Sequence, residues 1–292
     1  MLKQVRSFFD KKKILEVDVP HINKYPTIDL HIEPIECSPL SSKKGYLHTS
    51  PEYLLKRLLA EDSGDIYFLG HVFRKDEIGN KHNIEFTMIE WYRNNFTFEK
   101  FIDEVIELIE LFISTKNTQV LTYDEAFHKF IDVNVNIINT NDLINILIKH
   151  NIQVEKDLSK NDCLDLIFSI LIEPNLQDLT IIKDYPTDQA ALSKIKNNKA
   201  QRFEFFCKGV ELGNGYFELT DPILQKKRFL EVIEKRKTLN RPSFNLDEKF
   251  INSLDKCNEN LYGIALGFDR LLMLKEKKDS IKKVLPFSWE EL

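Results

Sequence analysis

The chain has 292 residues, a net charge of −5, and 42 % hydrophobic and 11 % aromatic side chains, enough for the packed core of one large domain or two. No apolar run reaches the roughly 20 residues a membrane helix needs, and the start lacks a long apolar stretch with a cleavage site, so a cytoplasmic chain with no membrane partner is expected. The acidic balance argues against a protein that grips a long nucleic acid, because each phosphate contact calls for a basic group; the clusters Lys11–Lys13 and Lys226–Arg228 are local patches or solvated faces.

Residues 2–12 carry Leu2, Val5, Phe8 and Phe9 at helical spacing. Ile14–Val19 alternates like a strand and stops at Pro20, which cannot continue a ladder. Ser50-Pro51-Glu52 predicts a helix start with Ser50 as cap, followed by an apolar face of Leu54, Leu55, Leu58 and Leu59. Ile66–Phe73 and Glu85–Tyr92 read as strands around a polar loop, hence a long hairpin. A helix follows over 98–113, with Phe98, Phe101, Ile102, Val105, Leu108, Ile109 and Phe112 inward. Residues 115–180 are Asn- and Ile-rich and are expected to form a helical insertion. A dense strand pattern returns over 201–220, then a charged helix over 222–237, and Gly263–Arg270 is a strand and turn entering a last helix. Hairpins with helices between them predict an α+β fold with an antiparallel sheet flanked by helices. The four cysteines, Cys37, Cys163, Cys207 and Cys257, contain no C-x-x-C pair, so they are expected to be reduced packing residues. Neither a P-loop nor a strand-linked G-x-G-x-x-G is present, so any use of ATP needs another architecture.

Three constellations carry chemistry. In the first, Arg74 ends a hairpin strand and can hold phosphate or carboxylate with its planar fork. Asp76 is expected on the same strand face, His82 on the loop can reach a phosphate, and Phe86 offers a ring to a base. Glu90 and Tyr92 alternate onto one face, where they can hold an ammonium group; a mixed-charge surface hairpin is the alternative. In the second, Glu204, Glu211 and Glu218 recur every seven residues, an odd spacing. They converge only across a turn or bulge, which Gly209, Gly213 and Gly215 permit, and otherwise remain three solvated acids. In the third, Gly263-Ile264-Ala265-Leu266-Gly267-Phe268-Asp269-Arg270 lets a backbone approach a ligand closely and sets an Arg at a helix start.

In this order the three resemble the signature motifs of class II aminoacyl-tRNA synthetases. Thr49-Ser50-Pro51-Glu52, His82-Asn83-x-Glu85-Phe86-Thr87-Met88-x-Glu90-x-Tyr92 and Glu211-Leu212-Gly213-Asn214-Gly215-Tyr216-x-Glu218-Leu219 are similar to the lysyl enzyme's active site almost run for run. The resemblance covers residues 1–292 as one catalytic domain, apart from the insertion at about 115–180. It implies ATP and Mg²⁺ as cofactors. Arg74 and Arg270 would be the catalytic cations, and ATP contacts would come from Arg74, Asp76, His82, Asn83, Phe86, Glu211, Leu212, Gly267 and Arg270. Asp76 stands where the family usually has Glu. Glu204 and Glu211 would be the metal ligands. Ser50, Pro51, Glu52, Glu90, Tyr92, Asn214, Glu218 and Ala265 would line the amino-acid site.

The first motif's helix begins at Met1, so no anticodon-binding domain is expected. Ala265 replaces a usual Gly of the lysyl enzyme. With Trp91 and the short insertion, this resembles the truncated paralogues that attach (R)-β-lysine to a lysine of elongation factor P. That resemblance implies elongation factor P as acceptor, lysine or (R)-β-lysine as substrate, a homodimer, and no role for tRNA. A stand-alone lysine-activating enzyme acting on tRNA or another acceptor, and an inactive regulatory paralogue, are the alternatives.

Overall fold

The computed structural model describes residues 1–154 and 158–292. In chain order the elements are α1 (Leu2–Lys11), β1 (Leu15–Glu16), β2 (Ile22–Asn23), β3 (Glu36–Leu40), β4 (Lys43–Leu47), α2 (Glu52–Ala60), β5 (Ile66–Phe73), β6 (Glu85–Asn94) and α3 (Phe98–Glu110). There follow β7 (Thr118–Thr122), α4 (Tyr123–Ile131), α5 (Thr140–Lys149), α6 (Lys160–Ile167), β8 (Leu179–Tyr185), β9 (Ile195–Lys196), β10 (Lys199–Cys207) and β11 (Val210–Phe217). The chain closes with α7 (Pro222–Thr238), α8 (Glu248–Ile251), β12 (Leu261–Gly267) and α9 (Phe268–Lys275). They form two compact units, residues 1–114 with 217–292, and residues 115–216.

In the first unit β6 is the central strand. β5 pairs with it antiparallel from Ile66↔Tyr92 to Phe73↔Glu85, and β12 pairs antiparallel on its other side from Leu261↔Asn94 to Gly267↔Met88. The predicted strand over Ile14–Val19 shrinks to the two residues of β1, which join β5 in parallel. Parallel pairing needs a crossover of a dozen or more residues, and the β2–β4 sheet and α2 supply it. The expected antiparallel sheet is therefore a mixed one. α1 buries Val5, Phe8 and Phe9, with Phe9 stacked on Tyr67 at 4.2 Å and edge-on to Trp91 at 5.4 Å. Leu55 and Leu59 of α2 pack on Ile66, Phe68, Val72, Met88, Tyr92 and Leu261. α3 is capped by the Thr97 hydroxyl, which accepts the Lys100 N–H, and buries Phe101, Ile102, Val105, Leu108 and Ile109; Phe98 is half-buried, and the helix ends at Glu110, leaving the buried Phe112 in the turn beyond it.

The second unit takes in the expected insertion and continues to Tyr216. Its sheet runs β11-β10-β8-β7, with β9 on β10, and β7 and β8 are parallel. The unit is thus not purely helical over 115–180. Thr122, Asn139 and Ser159 cap α4, α5 and α6, and their inward residues Tyr123, Phe127, Leu143, Leu147 and Ile167 share a core with Ala200 and Phe206 of β10. That shared core is why the strands belong with the helices. The β10–β11 turn is Lys208-Gly209, both at positive φ (52° and 66°), the conformation a two-residue hairpin loop demands.

Candidate active site

Four residues of β6, Phe86, Met88, Glu90 and Tyr92, alternate onto one face. The Arg74 guanidinium lies 5.1 Å from the Phe86 ring centroid, and its Nε donates to Thr49 O at 3.5 Å. β5 ends at Phe73, so Arg74 and Asp76 are not on a strand, and the expectation that they share a strand face is not met. Asp76 is exposed in a turn at φ 61°, and the acid beside Arg74 is Glu77, 3.8 Å away. Aspartate tolerates the left-handed region because its short polar side chain can hydrogen-bond locally, which suits it to that turn.

The loop after Arg74 is held from two sides. Arg270, in the first turn of α9, donates from Nε to Lys81 O at 3.2 Å, and its Nη2 is 2.7 Å from His82 Nε2. The Ile281 N–H donates to Asn80 O at 2.7 Å and the Trp289 N–H to Asn83 Oδ1 at 3.2 Å. Asn83 is buried, and its Nδ2 donates to Glu85 O at 2.8 Å, so its amide orders the loop. Gly267 stands at the start of α9, where an added Cβ would meet Arg270 Cδ at 3.4 Å. Asp269 was not among the expected site residues. Its Oδ2 accepts the Thr87 N–H at 2.7 Å, fastening α9 to β6 beside Phe86; burial raises its carboxyl while the Thr87 bond opposes the shift.

At the other end of this β6 face lies a cluster of buried acids. Tyr92 Oη donates to Glu90 Oε1 at 2.8 Å, and Ser50 Oγ donates to Glu90 Oε2 at 2.7 Å. Ser50 is not the formal cap of α2, which is Pro51, yet its hydroxyl accepts the Glu52 N–H at 3.1 Å. One Ser therefore starts the helix and orients Glu90. Lys56, one turn after Glu52, is 1 % exposed, and its Nζ lies 2.6 Å from both Glu52 Oε1 and Glu218 Oε2. Gly263 is opposite Tyr92 and Ala265 opposite Glu90. A Cβ on Gly263 would fall 2.3 Å from Glu218 Oε1 and 2.4 Å from Tyr92 Cε1, so only glycine lets these two side chains meet the strand.

Burial pushes the Glu90 carboxyl up to about 8, and the Glu52 charge adds to it. Burial likewise takes Glu218 up to about 8, with Lys56 opposing and Glu52 adding. Burial pulls the Lys56 ammonium down, but Glu218 and Glu52 outweigh it and leave it above its ordinary value. Lys56 was absent from the sequence expectations; the signal available was its i,i+4 spacing from Glu52.

The remaining candidates lie in the second unit. Glu204 is buried, ion-paired with Arg202, and accepts from Tyr185 Oη at 2.6 Å on its other oxygen. Arg202 Nε donates to Asn214 Oδ1 at 3.2 Å, and Asn214 Nδ2 donates to Tyr216 Oη at 2.9 Å. Asn214 is opposite Glu204, and a register shift at Phe205/Phe206 sets Glu211 opposite Phe206, two residues along β10 from Glu204. Leu212 is the buried residue within that shift. Burial raises the Glu204 carboxyl, Arg202 opposes, and the Glu211 charge raises it further. A turn and a register shift, the two routes the odd spacing allowed, both lie between this pair. Glu218 belongs to the acid cluster of the first unit.

No helix among the described residues is long and apolar enough to cross a membrane. The family model for class II tRNA synthetases (D, K and N) matches residues 1–291. A Buchnera aphidicola (subsp. Acyrthosiphon pisum) protein named elongation factor P–(R)-β-lysine ligase is 36 % identical over 98 % of this chain and 92 % of its own length. Proteins of the same name from Pasteurella multocida and Haemophilus influenzae are 35 % and 34 % identical, each over 99 % of this chain and over 93 % and 92 % of their own lengths. That family generally works with ATP and Mg²⁺. The match over residues 1–291 and the identity along nearly the whole chain lead to one conclusion: the chain belongs to the class II tRNA synthetase family, among the relatives of the elongation factor P–(R)-β-lysine ligases.

Proposed function

We propose that this chain is an ATP-dependent ligase that activates (R)-β-lysine as an aminoacyl adenylate and transfers it to a lysine side chain of elongation factor P. The observation that carries the reading is the acid cluster at one end of the β6 face, with the Arg74–Phe86 pair at the other. At about 3.4 Å per residue, Phe86 and Glu90 are roughly 14 Å apart, room for an extended acyl nucleotide. Desolvating a diamino acid is costly unless each ammonium meets a carboxylate, and Glu52, Glu90 and Glu218 provide them.

In the first step a carboxylate oxygen of the amino acid attacks the α-phosphorus of ATP in line, the bond to the β-phosphate oxygen breaks, and pyrophosphate leaves. Arg74 would hold the α-phosphate and the substrate carboxylate, and Arg270 with His82 the far phosphates. Phe86 would stack on the adenine. In the second step the acceptor amine attacks the acyl carbon, an amide forms, AMP leaves and the amine proton passes to solvent. No protein nucleophile is needed, since positioning and electrostatics suffice. Glu204 and Glu211 fit Mg²⁺: each carboxylate oxygen can accept more than one partner, their like charges repel, and Mg²⁺ binds through one or two carboxylates while keeping waters. When bound, it would neutralise phosphate charge. The chain would act in the cytoplasm as a homodimer. The α1 face that could serve an interface is taken up by the unit's own core, leaving Leu2 44 % exposed, so the dimer rests on the family alone.

The test is the intact mass of elongation factor P after incubation with the chain, Mg-ATP and (R)-β-lysine, with α-lysine in parallel. The expected outcome is a gain of one lysyl residue, greater with the β isomer. No gain, with lysine-dependent ATP–pyrophosphate exchange intact, would reject this acceptor in favour of tRNA or another protein.

A further inference from the structure

The acid cluster contains a cation that the activation chemistry does not use. Lys56 is 1 % exposed and bridges Glu52, on its own helix, to Glu218, which follows β11. The groups around it are Glu52 on α2, Glu90 and Tyr92 on β6, Glu218, and Cys257, whose Sγ donates to Lys56 O at 3.4 Å. Gly263 of β12 faces the same space with no side chain. A buried ion pair is a poor device for stability, since an apolar side chain of similar size often does as well or better. A methionine would fill the stem's volume without desolvating an ammonium. Stability alone does not account for Lys56.

We propose that Lys56 is a positioning and specificity residue, a built-in ammonium that clamps Glu52 to Glu218 and sets the charge of the amino-acid pocket. Once all three carboxylates are ionised, one internal ammonium leaves a surplus of two negative charges. An amino acid with two ammonium groups neutralises that surplus; one with a single ammonium leaves a buried charge unmatched. The clamp also fixes geometry. Without Lys56 the carboxylates of Glu52 and Glu218 repel, and neither keeps the orientation its oxygens now have. Lys56 additionally lowers the affinity of Glu218 and Glu90 for protons, so its loss makes both acids harder to ionise. This proposal rests on the reading of the cluster as the amine pocket.

The test is ATP–pyrophosphate exchange by the unaltered chain, Lys56→Met and Lys56→Arg. Each is measured against pH with (R)-β-lysine, α-lysine and a monoamino acid of equal length. Lys56→Met should raise KM for the diamino substrates roughly tenfold or more, leave KM for ATP within about twofold, and move the acid limb of the profile to higher pH. Because Glu218 and Glu90 then stay protonated over more of the pH range, it should also narrow the preference for two amines over one, and Lys56→Arg should restore most of the loss because it restores the charge. If Lys56→Met lowers the melting temperature yet leaves the diamino-acid KM and the acid limb in place, Lys56 is structural and the proposal falls. It also falls if Lys56→Arg folds and loses as much as Lys56→Met. Should Lys56→Met not fold, a folded Lys56→Arg with diamino-acid KM raised more than tenfold is the overturning result. Absence of exchange by the unaltered chain with either lysine isomer would sink the amine-pocket reading itself, and this proposal with it.

Discussion

Each unit buries a glutamate against an internal cation, and the two differ in how many acids that cation answers for. In the second unit, among the described residues, Arg202 pairs with one acid, Glu204, Tyr185 satisfies the other oxygen, and the register shift brings Glu211 near. In the first unit Lys56 serves Glu52 and Glu218 together, while Glu90 accepts from the hydroxyl groups of Ser50 and Tyr92. The difference teaches that burial of acids is not by itself a signature of one ligand. What an acidic cluster takes is set by the charge left after the protein's own cations are counted, and by whether hydroxyls or guanidinium groups hold the oxygens.

The comparison breaks most readily at Glu218. Glu218→Gln removes a carboxylate but leaves Lys56 buried beside Glu52. Truncating one partner of a buried charge pair costs about 2–5 kcal/mol, so exchange with lysine should fall roughly 100-fold in kcat/KM, with ATP KM little changed. An equal loss for both substrates would show damage to the fold instead. Glu211→Gln addresses the other unit and should act on a different axis. The Mg²⁺ concentration for half-maximal activity should rise about tenfold, while the diamino-acid KM holds. A shift in amino-acid KM without a change in Mg²⁺ demand would assign Glu211 to the wrong ligand.

The smallest effect is that of pH. Glu90 and Glu218 have carboxyls raised to about 8, so below that value they hold protons and bind ammonium poorly, and above it they are carboxylates. KM for the diamino acid should therefore fall as pH rises through 8, by about fivefold between pH 7 and 8 as the first acid of the interacting pair ionises. The stability sign is opposite. A folded-state pKa raised above the unfolded value gives stability that is present in acid and lost as pH climbs through 8. The unliganded chain should melt at a lower temperature at pH 8.5 than at pH 5.5, and the diamino acid should raise it more at the higher pH. A flat KM profile would mean that these acids do not meet the amines.

Much of this was open to reading in the sequence where a local rule decides. The hairpin strands β5 and β6 follow from alternation, the shared face of Glu90 and Tyr92 from a period of two, and a turn or bulge between Glu204 and Glu211 from their odd spacing. What escaped depends on partners far along the chain. Lys56 on an amphipathic helix reads as a solvated lysine until Glu218 is folded against it. Alternation also ran too far at Arg74, because nothing local marks Phe73 as the last paired residue; the pairing with Glu85 does. β7 was hidden because Thr118–Thr122 is only half buried and shows no clean alternation, being held by its parallel neighbour β8.

The loop between β5 and β6 has a consequence for how a nucleotide is met. Backbone and side-chain bonds fasten it at Asn80, Lys81 and Asn83, to the segment beginning at Ile281, to Arg270 and to Trp289. The conformational freedom of these residues is surrendered when the chain folds, so little remains to be lost when a triphosphate arrives. Under the proposed reading, ATP capture is a docking event onto a preorganised edge rather than the closing of a lid, and its rate follows encounter rather than loop motion.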